Sequence, residues 1–224
     1  MVEDVQPRRA YRLQARAEQA QLTRARIVEA ARTLFIERGF AGTTIAAIAT
    51  AAEVAPETVY AIHASKAGVL EAVVHAAFLR DDEPLDALER RWVKALLRLP
   101  DTTARIAAFA RHTSRTLELT SPIHAVITHA GAGAGELEAL RARLQALRFA
   151  QQRLVMLAIT GGGPPRPGLS ADCAADTFSA LASPELRQVL TTDRGWSQAR
   201  YARWLEQTVI DAIAPTPDAR QPGR

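Results

Sequence analysis

The chain has 224 residues, 48% of them hydrophobic and 23% charged, which is enough apolar material for a real core and excludes a globally disordered polymer. Its formal net charge of +4 says little by itself, and its single cysteine, Cys173, excludes an intramolecular disulfide framework. No apolar run approaches the roughly 20 residues of a membrane span, and the charged N-terminus lacks the apolar segment of a secretion signal, so a cytoplasmic protein without membrane contact is expected.

Residues 1–22 form a polar, mostly basic extension in which Arg8, Arg9, Arg12 and Arg16 precede any apolar pattern. In a helix, Arg8, Arg12 and Arg16 fall on one face, where like charges repel one another and phosphates neutralise them. A DNA-contacting arm and a solvated tail are both open readings. From Thr23, a candidate N-cap, Ile27, Ala31, Leu34 and Phe35 make one apolar stripe, and Gly39 after Arg38 fits a helix end, so a first helix is expected over 23–38. Thr43 and Thr44 cap a short second helix carrying Ile45, Ile48, Ala49 and Ala52 inward. Pro56 opens a third helix, with Val59 and Ile62 facing the core. Ser65 caps a fourth, Lys66 to Leu79, with Val69, Leu70, Val73 and Ala77 as its stripe and Asp81, Asp82, Glu83 and Pro84 as its end. Beyond it, helices are expected at 85–99, 102–119, 122–130, 136–160, 171–182, 184–192 and 196–214, with GGGPPRPGLS, residues 161–170, as a loop and a tail from Pro215. Scarce aromatics, abundant Ala, Leu and Arg and the absence of β-branched alternation make the chain all-α.

The stretch TTIAAIATAAEVAPETVYAIHASKAGVLEAVV, residues 43–74, has the sequence form of a helix-turn-helix. Its alanines let the helices approach closely, Glu53 and Val54 fall in the turn with Val54 as the inward plug, and the second helix is able to enter a major groove by its N-terminal end. RIVEAARTLFIERGF, then GTTIAAIATAAEV, then ETVYAIHASKAGVL resemble the headpiece of the TetR family of one-component transcriptional regulators. The motif covers about residues 24–74, and ASPELRQVLTTDRGWSQARYARWLEQTVIDAI resembles the last helices of some members less specifically. The resemblance implies a three-helix headpiece at 23–66 joined to a larger helical ligand-binding and dimerisation domain at 67–214. It also implies a homodimer on a double-stranded DNA operator, with repression relieved by a small molecule.

Residue roles follow from that template. Thr44 is placed where a hydroxyl and free N–H groups hold a phosphate, with simple capping as the alternative. The resemblance puts the Tyr60 hydroxyl and the Lys66 amine on phosphates. Pro56, Glu57, Thr58 and Ala61 form the groove face: Thr58 as a hydrogen-bonder, Ala61 as a methyl surface for thymine, Glu57 as an acceptor for cytosine N4 or as a favourable first-turn charge. Three positions depart from the family pattern. Ala55 replaces a capping Ser or Thr, and Ile62 and His63 stand where His and Phe are common.

A largely apolar effector pocket is expected from Phe109, His112, Leu119, Ile123, Val126, Ile127, Phe149 and Met156, though core packing explains each of them alone. Leu181, Trp196, Trp204, Leu205, Val209 and Ile213 are core or dimer-interface residues, which sequence does not separate, and the closed dimer implies an approximately palindromic operator. His124 and His129, five apart, do not share a helical face and lack Cys or acidic companions, so no metal, cofactor or catalytic group is expected. AGAGAGEL lacks the GK[ST] of a phosphate loop, and Cys173 is a nucleophile only if a base converges on it. The competing classes are a helical interaction protein without specific DNA binding and a cysteine-dependent enzyme.

Overall fold

The computed structural model describes residues 6–78, 86–129 and 135–215. The expected helix end at Asp81–Pro84 and the tail beyond Pro215 lie outside the described residues. Among the described residues the protein is helical throughout, with one isolated bridge between Arg166 and Leu169 in the expected loop. The helices are α1 (Gln6–Arg38), α2 (Ile45–Ala51), α3 (Pro56–His63), α4 (Lys66–Phe78), α5 (Arg91–Leu97), α6 (Thr102–His129), α7 (Gly135–Thr160), α8 (Ala171–Leu181), α9 (Pro184–Gln188) and α10 (Gln198–Ile213). A single 3-10 turn, Ala87–Glu89, precedes α5, and one wide π-type turn, Val189–Asp193, follows α9. No single helix among the described residues is long and apolar enough to cross a membrane.

Three elements differ from the sequence expectation. The first helix starts at Gln6, not at Thr23, and Thr23 is mid-helix, its hydroxyl donating to the Gln19 carbonyl at 2.9 Å. The segment is rich in Ala, Arg, Gln and Leu, and its one proline, Pro7, stands in the first turn where a missing N–H costs nothing. The expected break between 119 and 122 is absent, because α6 runs through Pro122. Pro122 has no N–H for the Glu118 carbonyl, and the Ser121 hydroxyl takes that acceptor instead at 3.1 Å. The expected helix at 85–99 is divided by Arg90, whose extended backbone, φ −63° and ψ 138°, separates the 3-10 turn from α5.

The chain forms two compact units. One runs to Ala77 and takes in Pro122–Leu140, and the other comprises Phe78–Ser121 and everything from Arg141 onward. In the first unit, Ile27, Ala31, Leu34 and Phe35 of α1, Ile48 and Ala49 of α2, Val59 of α3, and Val69, Leu70, Val73 and Val74 of α4 are buried. These positions repeat at three- and four-residue intervals, so each helix turns one apolar stripe inward. Burying each such Leu, Ile or Val contributes on the order of 1.5–3 kcal/mol, the drive that holds the short α2 and α3 in place. The core of the second unit draws on Val93, Ile106, Phe109, Met156, Phe178, Tyr201, Leu205, Val209 and Ile213, and α10 packs on α8 within it.

Candidate nucleic-acid interface

The turn between α1 and α2 is braced by several hydrogen bonds. Gly39 adopts φ +69° and its N–H closes on the Phe35 carbonyl at 2.9 Å, ending α1 as expected of a left-handed cap. Thr43 is fully buried, and its hydroxyl oxygen lies 3.1 Å from the Leu34 carbonyl and 2.8 Å from the Gly39 carbonyl. Thr44 alone caps α2, accepting from the Ala47 N–H at 3.1 Å. The capping bond uses an oxygen lone pair, so the exposed Thr44 hydroxyl keeps its proton for an outside acceptor.

Helix α3 is entered through a strained turn. Glu53 takes φ +55°, Val54 N–H donates to Ala49 O at 3.0 Å, and Val54 is half-buried. The αL backbone costs a non-glycine residue on the order of 1 kcal/mol, and an Arg26–Glu53 ion pair at 3.7 Å spans the same turn. Ala55 is the N-cap without a side-chain bond and Pro56 follows, so the first turn relies on the fixed φ of proline. Val59 is the one fully buried anchor of α3. Pro56, Glu57, Tyr60 and Ala61 are exposed and Thr58 is half-buried, so these five share an open face. Tyr60 is 53% exposed, which is unusual for a large ring and leaves its hydroxyl in solvent reach. Ile62 and His63 are half-buried. The His63 Nε2 has no partner, and burial, then the charge of Arg24, holds its imidazole below the ordinary histidine range.

Lys66 stands differently from the sequence expectation. Its ammonium donates to the carbonyls of Phe40 at 2.8 Å and Thr43 at 2.9 Å, and sits 4.3 Å from the centre of the Phe40 ring. Phe40 stacks on Phe35 at 5.7 Å. Lys66 therefore clamps the start of α4 to the α1–α2 turn, with one N–H left over. Next to it, Ser65 accepts from the Gly68 N–H at 3.0 Å, the expected cap, and its hydroxyl donates to the Glu136 carboxylate in the first turn of α7. Phe40 and Glu136 have no role in the sequence reading, Thr43 is expected there only to share the α2 cap, and Ser65 is expected as a cap but not as a donor to Glu136. Two adjacent threonines do not reveal which one caps and which one is buried.

Residues 27–73 match the profile described as "Bacterial regulatory proteins, tetR family". The headpiece belongs to the tetR family. It is the DNA-binding domain of a transcriptional regulator, with the helix-turn-helix formed by α2 and α3. No curated protein is significantly similar to the chain in sequence. Among solved structures, it is similar to NalD, described as the secondary repressor of the MexAB-OprM multidrug efflux pump in Pseudomonas aeruginosa: TM-score 0.67, 20% identity, 88% of this chain and 97% of that one covered. SmeT in complex with triclosan matches at TM-score 0.66 and 20% identity over 90% and 96% of the two chains. A protein from Saccharomonospora viridis, solved in complex with choline, matches at TM-score 0.59 and 21% identity over 85% and 96%. Identities this low establish the shared fold, a TetR-like headpiece followed by a larger helical domain.

The residues expected to line an effector pocket divide between the units. Ile123, Val126 and Ile127 are buried in the first. Phe109 and Met156 are buried in the second, where Leu119 is exposed and His112 and Phe149 are half-buried. There His112 stacks on Trp92 at 3.7 Å, and Phe109 stacks on Phe178 at 4.1 Å. Of the six core-or-interface residues, Leu205, Val209 and Ile213 are fully buried within one chain, every fourth residue along α10. Leu181, Trp196 and Trp204 are half-buried, so these three keep surface to offer a partner. Trp196 meets Trp204 edge-on at 5.9 Å, with the Arg200 guanidinium 4.1 Å over the Trp196 ring. Cys173 is exposed on α8, and the side chain of His129 lies outside the described residues. Among the described residues, no three His, Cys, Asp or Glu side chains gather as a metal site.

Proposed function

We propose that the protein is a homodimeric repressor that occupies an approximately palindromic double-stranded DNA operator and leaves it when a small, largely apolar effector binds. The observation that carries this reading is the open face of α3: one fully buried anchor, Val59, beside four exposed side chains, Pro56, Glu57, Tyr60 and Ala61, and the half-buried Thr58. Residues 23–66 serve as the DNA-binding domain and 67–214 as the ligand-binding and dimerisation domain. Thr44 and Tyr60 hold phosphates through their hydroxyls, and Lys66 offers its remaining N–H to a third. Thr58, Ala61 and Glu57 meet base edges, with Pro56 fixing the helix N-terminus against the groove.

Leu181, Trp196 and Trp204 contribute to the contact between protomers, while Leu205, Val209 and Ile213 support it from the core. An isologous dimer places two α3 helices on one face of DNA and accounts for a twofold operator. The effector acts by binding one headpiece spacing better than the other, since equal affinity for both shifts nothing. Phe109, His112, Phe149 and Met156, all of the second unit, supply the apolar and aromatic surface for it. The resemblance in fold to proteins solved with triclosan and choline supports a small-molecule effector.

The test compares full-length Thr58→Ala and Tyr60→Phe on a pool of operator variants. Tyr60→Phe should weaken all sequences alike, and Thr58→Ala should change preference at one position of each half-site, by about 1–3 kcal/mol. Equal effects of both on specific and random DNA would remove α3 as the reading element. Titrating small apolar compounds against the operator complex tests release.

A further inference from the structure

The turn between α3 and α4 is strained. Ala64, a residue with a Cβ, takes φ +58° and ψ −41°, and the Ser65 N–H closes on the His63 carbonyl at 2.6 Å. A bond that spans only three residues across such a backbone is a γ-turn of the rarer, strained hand. A non-glycine residue keeps that conformation only where its surroundings fix it. The Ala64 N–H still donates to the Tyr60 carbonyl at 2.8 Å, so the turn is joined directly to the helix that carries Tyr60 and Ala61. Helix α4 presses on the same point, since a Cβ on Gly68 would lie 2.0 Å from the His63 carbonyl oxygen. A shift of this turn therefore moves the last turn of α3 with it.

Ser65 fixes the turn with both halves of its hydroxyl. The oxygen accepts from the Gly68 N–H at 3.0 Å, and the single proton goes to the Glu136 carboxylate. A hydrogen bond to an ionised acceptor is stronger than one between neutral groups. Glu136 comes from far along the chain, 71 residues after Ser65, in the first turn of α7, where the helix dipole favours an acid. Leu137 and Leu140, the next apolar residues of α7, are buried and belong to the same compact unit as the headpiece. The carboxylate is thus presented to Ser65 from a packed helix end.

We infer that Glu136 is a positioning residue for DNA reading: its carboxylate holds the Ser65 hydroxyl, and through it the γ-turn that sets the end of α3. The side chains proposed to meet DNA all lie between Thr44 and Lys66. Their placement is completed by a residue of α7, beyond the end of the matched family profile at residue 73. This role rests on the DNA-binding reading and adds a requirement to it, that the headpiece sequence alone does not carry the full affinity.

The test uses full-length protein and compares Glu136→Gln with Glu136→Met. Both remove the charge and keep the length of the side chain, and only Gln keeps an oxygen for the Ser65 proton. Hydrogen exchange at the Ala64, Gly68 and Val69 amides, without DNA, reports the turn, and affinity for a selected operator reports the placement of α3. The Met variant should exchange at these amides about 3- to 10-fold faster than the Gln variant, the range set by the net contribution of one hydrogen bond. It should bind the operator more weakly than the Gln variant by a similar factor, with the same salt dependence, because no phosphate contact is lost. Ser65→Ala removes the cap as well as the donor, so it should be the more damaging single change, and adding Glu136→Met to it should change nothing further. Equal exchange in the Gln and Met variants, with wild-type operator binding intact, would overturn this role alone. Faster exchange in the Met variant with equal operator affinity would also overturn it, since the turn would then not place α3. Additive effects of Ser65→Ala and Glu136→Met would show that the two side chains act apart, with the same consequence. A wild type without salt-sensitive DNA retention would overturn the DNA-binding reading and this role together.

Discussion

Replacing Lys66 by methionine keeps the aliphatic stem and removes the ammonium, which isolates the two bonds to the Phe40 and Thr43 carbonyls. A hydrogen bond to a charged donor contributes about 1.5–3 kcal/mol when well shielded. Lys66 is half-buried, so water replaces part of what is lost, and the pair is worth about 2–3 kcal/mol to the headpiece. That corresponds to roughly 30- to 150-fold faster amide exchange in α2 and the start of α4 if these amides exchange by opening of this unit. Hydrogen exchange on the full-length protein without DNA measures it, with Thr44→Ala as a control that removes one cap and costs about 1 kcal/mol. DNA affinity should fall further than the loss of a single phosphate contact explains, because the clamp also sets the α1–α2 turn that presents Thr44. Wild-type exchange in Lys66→Met, together with weakened DNA binding, would refute the clamp and leave the amine as a phosphate ligand only.

Three further outcomes follow from particular atoms. A Cβ on Gly68 would lie 2.0 Å from the His63 carbonyl oxygen, so Gly68→Ala should lower thermal stability by about 2–4 kcal/mol, against the roughly 1 kcal/mol that Ala gains over Gly in a free helix. A neutral or stabilising result in a melting experiment would contradict the close approach of α4 to the end of α3. Tyr201 is fully buried with an unpartnered hydroxyl, and burial pushes its phenol up to about 12 despite the charge of Arg187, so Tyr201→Phe should stabilise the protein by up to about 1 kcal/mol at neutral pH. A phenol harder to ionise when folded stabilises fully below pH 10, and this contribution is lost as pH rises toward about 12, so denaturant midpoints of the Phe variant should lack that decline. His63 is held below its ordinary value of 6.5, so the unfolded chain takes up the proton first and stability is lost as pH falls below about 6.5. His63→Phe should remove that acid loss in melting curves, and an unchanged pH profile would show that the imidazole is not shielded.

The α2–α3 motif was legible because it rests on local chemistry: caps at Thr44 and Ser65, proline at the start of α3, and an apolar stripe whose expected inward residues are buried except for the half-buried Ile62. The start of α1 was not legible, since Thr23 has the chemistry of a cap while its flanks favour continuing the helix, and its hydroxyl is satisfied inside it. Pro122 misled in the same way, because the Ser121 hydroxyl repairs the acceptor that a proline normally orphans. The clamp at Lys66 joins residues 23 and 26 positions apart, and such distances leave no periodic trace. On α10, the every-fourth-residue stripe was plain, but whether it faced its own core or a partner required the fold. Leu205, Val209 and Ile213 have no surface left, whereas Trp196 and Trp204 do.

The proposed function requires that two copies of this chain read DNA as a twofold pair of headpieces through α3. Selection of genomic fragments by the full-length protein, followed by hydroxyl-radical footprinting, tests it most directly. An approximate palindrome is expected, with two protected half-sites on one face of the duplex and their centres one or more helical turns of about 10 base pairs apart. Protection without a dyad, or retention of every fragment equally, would contradict it.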